Sequence, residues 1–227
     1  MELSARDVAR LLNVSENTVY RWARAGTLPS HHVHDQYRFN RVEIQEWAVL
    51  HKHRVSPDLF TAGDEAAEPP GFGAALERGG IHYAVPGARR EEVLEAVSRL
   101  PGVPAGVARP FLHQLLVGRE SLASTGVGDG IAIPHPRDPL VLHLEEPVVL
   151  LCFLSSPVDF GALDGQPVKI LFVLLSPSVR AHLRLLSLLA FALHDVDLRA
   201  LLKEVAPPGR ILARVREIEA APSVPKP

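Results

Sequence analysis

A single cysteine, Cys152, stands in the 227 residues of this chain. That excludes an internal disulfide and fits a reducing compartment. Its place inside the run VVLLCFL reads as a small core side chain. Long hydrophobic runs are missing as well. The longest, VVLLCFL (148–154) and ILFVLL (170–175), fall far short of the roughly 18 to 20 residues that span a bilayer. The N-terminus MELSARDVARLL carries acidic residues and lacks the apolar core of a secretory leader. A cytoplasmic protein without membrane contact is therefore expected. Charge of one sign is also lacking, the net value being −2. Residues 1–55 hold eight Lys and Arg against six Asp and Glu, and the remainder 16 against 20. That asymmetry permits a nucleic-acid contact at the N-terminal end without demanding one. No internal repeat is found. Apolar residues make up 47% of the chain, enough for the core of two modest domains or one large one.

Residues 1–55 read as a compact helical unit. SARDVARLL places Val8, Leu11 and Leu12 at helical spacing, with Ser4 and Asp7 as a capping pair. NVS (13–15) breaks the pattern, and Ser15 caps a second helix, ENTVYRWARA, with Val19, Trp22 and Ala23 inward. Gly26 sits where a helix stop is expected. TLPSHHVHDQYRF (27–39) predicts a short hairpin with its tip at His34-Asp35-Gln36. Asn40 and Glu43 have capping-box spacing ahead of a third helix with Val42, Ile44, Trp47 and Leu50 as apolar positions. Residues 56–79 turn to Pro, Gly, Ala and acid and read as a linker with at most one helical turn at GAALER. Residues 221–227, rich in proline, read as a disordered tail.

Strand and helix signals alternate over residues 80–220. IHYAV, GIAIP, VVLLCFL and VKILFVLL are strand candidates, the last two apolar throughout and so expected inside a sheet covered on both faces. REEVLEAVSRL, the segment from Pro110 to Glu120, RAHLRLLSLLAFALHD, VDLRALLKEV and GRILARVREIEA are helix candidates. The expected class is α/β, a mixed β-sheet flanked by helices, preceded by a small winged helix-turn-helix domain.

The segment STGVGDGIAIPHPRDP (124–139) carries the chemistry. No Gly-Lys-Ser/Thr follows its glycines, so it is no P-loop, and the glycine spacing does not fit a dinucleotide fingerprint. His135, His143, His182 and Asp138 show no metal-ligand spacing, so no metal and no other cofactor is expected. A Gly-x-Ser-x-Gly elbow is absent. What remains is His135 as a nucleophile toward phosphorus. Neutral imidazole attacks without prior deprotonation. One ring nitrogen must be fixed by a hydrogen bond so that the other faces out, and an arginine fork and backbone N–H groups must take up phosphoryl charge. The flanking prolines restrict the backbone at His135. The run Ile131–Ile133 is expected at an edge or end of a sheet, aiming the imidazole outward.

Two resemblances sharpen this reading. SARDVARLLNVSENTVYRWARAGTLP, YRF and VEIQEW resemble the excisionase/MerR-like helix-turn-helix family. The resemblance implies DNA binding, with Asn17, Thr18, Arg21 and Arg24 on the helix that enters the major groove and Arg38 clamping the backbone or minor groove. The weak positive charge favours a homo-oligomer over a single copy. VGRESLASTGVGDGIAIPH and DFGALDGQPVKILFVLLSPSVRAHLRLLSLLAFAL resemble the phosphotransferase-system enzyme IIA proteins of the fructose/mannitol class, above all their nitrogen-regulatory relatives. That resemblance implies the enzyme IIA type 2 fold and puts the phosphoryl-accepting histidine, modified at Nε2, on His135. It puts the active-site arginine on Arg119, the threonine that orients the histidine on Thr125, and a second histidine on His182. Pro136 and Asp129 depart from the glycine and asparagine usual in those relatives, and Asp129 is expected to add negative charge near the phosphoryl site. Glu120 is read as a partner for a basic group, without chemistry of its own.

The expectation is a phosphohistidine carrier rather than a turnover enzyme: a DNA-binding regulator charged by an HPr-type phosphocarrier. The alternative is a sugar-transport IIA component that passes phosphate to a IIB domain, its helix-turn-helix being an interaction module. A binding platform with vestigial phosphorylation is a third reading.

Overall fold

Ser4 and Asp7 start the first helix by satisfying each other's free groups. In the computed structural model, which describes residues 2–33, 36–40, 43–44, 47–48, 71–162 and 164–221, the Asp7 N–H donates to Ser4 Oγ at 3.2 Å. The Ser4 N–H and hydroxyl donate to Asp7 Oδ2 at 3.0 and 2.7 Å. These bonds, the hydroxyl first, hold the Asp7 carboxyl below its usual range. Helix α1 (Ala5–Leu11) and helix α2 (Glu16–Arg24), the latter capped by Ser15 on the Thr18 N–H, follow as the sequence predicts. The hairpin is β2 (His31–Val33) against β3 (Gln36–Asn40). A strand that the sequence does not announce, β1 (Glu2–Leu3), pairs with β3 and makes the sheet three-stranded in the order β1-β3-β2. Residues 43–44 and 47–48 are helical. Ile44, Trp47 and Ala48 join Val8, Leu12, Val19 and Phe39 in one core, where the Trp22 and Trp47 rings lie 5.2 Å apart. His34, Asp35, Val42 and Leu50 lie outside the described residues.

The chain divides into two compact units, residues 1–68 and 69–227. The second opens with a helix where the sequence reads as linker. In α3 (Phe72–Gly79), Phe72, Ala75 and Leu76 are buried. Its three apolar positions have helical spacing, diluted by Gly71, Gly73 and Gly79. Residues 56–70 and 222–227, read as linker and tail, lie outside the described residues.

After α3 come β4 (Ile81–Val85), α4 (Arg90–Ser98), α5 (Arg109–Leu122), β5 (Gly126–Gly128), β6 (Ile131–Ala132), a 3₁₀ turn (Pro139–Leu142), β7 (Val148–Val158) and β8 (Val168–Leu175). Helices α6 (Val179–Ala192), α7 (Val196–Lys203) and α8 (Pro208–Ala220) complete the unit. The sheet order is β4-β7-β8-β6-β5. The pairs β4/β7 and β6/β8 are parallel, while β7/β8 and β5/β6 are antiparallel, so the sheet is mixed. Strands β7 and β8 take its middle, as their unbroken apolar runs require. Alternation splits their side chains between two faces. Leu150, Cys152, Leu171 and Val173 pack with Val93, Leu94, Leu112 and Leu116 of α4 and α5, while Phe172 meets Phe72 of α3 with ring centroids 6.1 Å apart. Burial in this core pushes the Cys152 thiol far above its usual range, which removes thiolate reactivity.

Two glycines let backbones touch. A Cβ on Gly102 would stand 1.7 Å from the Gly79 carbonyl oxygen, and one on Gly79 would stand 2.1 Å from that of Val149. Gly102→Ala is therefore expected to cost about 1–3 kcal/mol through forced backbone shifts. Gly106→Ala, which enters open space, should be near neutral. Thermal unfolding of both variants checks the pair, and equal midpoints would contradict the close approach.

Candidate functional site

The glycine lead folds into a tight reversal. Gly128, Asp129 and Gly130 all have positive φ, at 93°, 54° and 75°, a run that glycine and aspartate tolerate. It turns β5 back as β6. The ladder does not stop at Ala132. The Ile133 N–H donates to the Thr125 carbonyl at 3.0 Å, and the Leu174 N–H of β8 donates to the Pro134 carbonyl at 3.0 Å. The segment before His135 is thus pinned from both neighbouring strands. Strand β6 lies between β8 and β5, and the edge is β5.

His135 is 2% exposed and His182 1%, which corrects the expectation of an outward imidazole. The two rings are tilted against each other, with centroids 4.9 Å apart at 49°. Nδ1 of His135 is 2.7 Å from the Ile133 carbonyl oxygen, and Nε2 is 3.2 Å from Nε of Arg119, whose N–H points at it. The carbonyl can only accept and the guanidinium can only donate. Both contacts therefore select one tautomer, with the proton on Nδ1 and the lone pair on Nε2. Helix α5 delivers Arg119 from its last turn, and Nη1 is anchored on the Ala123 carbonyl at 3.0 Å. Helix α6, capped by Ser178, delivers His182.

Arg119, His135 and His182 are thus brought together. Thr125 reaches the histidine by backbone rather than by side chain. Its hydroxyl donates to Glu120 Oε2 and its N–H to Glu120 Oε1 at 3.0 Å, while its carbonyl holds Ile133. The Ile133 carbonyl leaves no signal in residue spacing, and Glu120, expected beside a basic group, has Thr125 as its hydrogen-bond partner. Glu120 is buried, with Arg90 Nη1 3.9 Å away. Asp129 carries no uncompensated charge, since Arg199 Nη2 donates to its Oδ2 at 2.9 Å. The arginine lies seventy residues away in sequence.

In the first unit, Asn17, Arg21 and Arg24 are exposed on α2. Thr18 is half-buried and committed to the cap, its hydroxyl 2.9 Å from that of Ser15. Arg38 donates to Gln36 Oε1 at 3.0 Å. Arg24 and Arg38 border one groove with Arg6, Glu16, Tyr20 and Tyr37. Arg6, on the first turn of α1, was not among the residues singled out by sequence.

No described helix is long and apolar enough to cross a membrane. Residues 76–217 match the family model "Phosphoenolpyruvate-dependent sugar phosphotransferase system, EIIA 2", and residues 2–48 match a helix-turn-helix domain. A nitrogen regulatory protein of Pseudomonas aeruginosa is 41% identical over 135 residues, 58% of this chain and 84% of that protein. A fructose-specific EIIA component of Haloferax volcanii is 37% identical over 128 residues, 55% of this chain and 80% of that one. The crystal structure of nitrogen regulatory protein IIA-Ntr from Neisseria meningitidis superposes with a TM-score of 0.56 at 28% identity, covering 63% of this chain and 97% of that one.

Proposed function

The chain belongs to the phosphoenolpyruvate-dependent sugar phosphotransferase system EIIA 2 family over residues 76–217, with a helix-turn-helix domain ahead of it, and we propose that it is a cytoplasmic DNA-binding regulator charged at His135. The observation that carries this reading is the ring geometry: Nδ1 is held by the Ile133 carbonyl, and the Nε2 lone pair faces Arg119. An HPr-type phosphocarrier is the donor. The Nε2 lone pair forms the new N–P bond as the donor's N–P bond breaks, and that electron pair returns to the donor ring. The Nδ1 proton stays in place, and the Ile133 carbonyl stabilises the positive charge the ring gains. Arg119 leaves Nε2 and takes phosphoryl oxygens in charge-assisted bonds, with His182 alongside.

Charging adds about −1.5 to −2 units of charge at one place, which biases association and, through it, DNA binding. The exposed Asn17, Arg21 and Arg24 support a base-reading role for α2, with Arg38 on the backbone. The modest basic charge of residues 1–55 supports binding by paired copies. Arg21→Ala is expected to cost about 1–3 kcal/mol of DNA affinity, read by titrating the variant against a selected site. An unchanged dissociation constant would remove Arg21 from the interface.

The test is DNA affinity selection with phosphorylated and unphosphorylated protein. One enriched sequence, bound differently in the two states, is expected. Equal binding in both states would overturn the coupling, and no enrichment would overturn DNA recognition. The likeness to the fructose-specific EIIA component favours a second reading, a carrier that passes phosphate to a IIB domain with the helix-turn-helix as an interaction module. It requires transfer onward without any enriched sequence.

A further inference from the structure

Glu120 is a carboxylate with 4% of its surface exposed, next in sequence to Arg119, and the phosphoryl-transfer step sketched above makes no use of it. Its two oxygens accept both donors of one residue, the Thr125 N–H and hydroxyl. The Thr125 carbonyl accepts the Ile133 N–H, and the Ile133 carbonyl accepts Nδ1–H of His135. These bonds form an unbroken line from a buried charge to the reacting ring. We propose that Glu120 is a positioning residue for His135: its carboxylate fixes Thr125, Thr125 fixes Ile133, and the Ile133 carbonyl fixes the proton on Nδ1, which leaves Nε2 as the nucleophile.

The physical case rests on direction. Thr125 immediately precedes β5, a short strand at the sheet edge, where few ladder bonds hold the chain. A carboxylate that takes both of its donors restrains that edge more firmly than a neutral acceptor. Carbonyl orientation at Ile133 then follows, because its N–H is held by Thr125, the Pro134 carbonyl is held by Leu174, and the residue before a proline has a restricted backbone. A carbonyl swung away from Nδ1 would free the proton to exchange between the ring nitrogens. Attack would then start from a mixture in which only part of the population carries its lone pair on Nε2. Glu120 also keeps α5 in register with β5, so the same contact sets where Arg119 lies relative to the ring. Arg90, at 3.9 Å and partly exposed, is the nearby cation, and water can take over its solvation when the carboxylate is removed.

This inference rests on His135 being the acceptor, so its test has a readout that needs no phosphoryl donor. Nitrogen-15 NMR of the full chain labelled in its histidines reports the tautomer of His135. In the wild type a single form protonated on Nδ1 is expected. Glu120→Ala should give an averaged or mixed tautomer and at least tenfold slower charging by phosphorylated HPr, with little change in KM for that donor. Glu120→Gln, which can still accept the Thr125 N–H and donate to its hydroxyl, should restore the Nδ1-protonated form and bring charging to within a few-fold of wild type. A Glu120→Ala protein that is folded and keeps the single tautomer overturns the proposal. So does Glu120→Gln behaving like Glu120→Ala in the ring signal. If Glu120→Ala does not fold, the Gln variant and Thr125→Val, which removes the hydroxyl but keeps the N–H donor, carry the test, and wild-type ring signals in Thr125→Val with slowed charging in neither variant would overturn it. A wild type that takes no phosphoryl group but shows the tautomer change in the variants would sink the proposed function and leave the positioning role standing.

Discussion

With His135 replaced by alanine, the chain is expected to take no phosphoryl group from phosphorylated HPr, while His182→Ala is expected still to accept one. Both rings are buried and in contact, so proximity alone does not choose between them. The choice comes from the hydrogen bonds on His135. A nucleophilic nitrogen needs a lone pair and a partner that keeps the proton elsewhere, and His135 has both: Ile133 holds Nδ1, and the Nε2 lone pair is met by Arg119, which must move aside for attack. Loss of the imidazole removes the bond-forming atom, so the effect is total rather than graded. The measurement is incorporation of labelled phosphate, with thermal midpoints to show that both variants are folded. Label retained in His135→Ala and lost in His182→Ala would exchange the two roles.

Arg119→Ala is expected to slow charging by about tenfold, the roughly 10²–10³-fold cost of removing one positioned donor from a site of developing charge being partly offset. Two effects oppose each other here. In the uncharged protein Arg119 covers Nε2, and removing it opens the nitrogen. A hydrogen bond from a charged donor contributes about 1.5–3 kcal/mol, whereas the lost stabilisation of the transferring group amounts to about 2.7–4 kcal/mol. The loss therefore wins. Lysine at this position should recover little, since it lacks the planar fork and the second anchor on Ala123. Single-turnover charging at saturating donor measures the rate. A rate equal to or above wild type in Arg119→Ala would mean that the guanidinium acts only as a cover.

How far the sequence reaches depends on whether a feature is local. Caps at Ser4, Asp7 and Ser15 lie within a few residues of what they satisfy, and the apolar runs of β7 and β8 state their own burial. Both were legible. Strand β1 was not, because two residues carry no period and its definition comes from Asn40 and Phe39 across the sheet. Helix α3 was hidden by the glycines it needs for its close packing. At the site, His135, Arg119 and His182 stand in a pattern that names them, but their burial arises from mutual contact and leaves no mark in spacing. Glu120 reads as a partner for a basic group until its oxygens are seen on Thr125. Asp129 reads as a stray charge until Arg199 is seen beside it.

The depth of His135 bears on time. A nitrogen–phosphorus bond formed in open solvent is exposed to water at every moment. Here the ring has 2% of its surface open, beneath an arginine and a second imidazole. A phosphoryl group carried on His135, as proposed, would then be shielded from water and would outlast the encounter that created it. On the proposed function, such a site would keep a record of whether a donor has recently passed, and the side chains packed on the ring would set how long that record lasts.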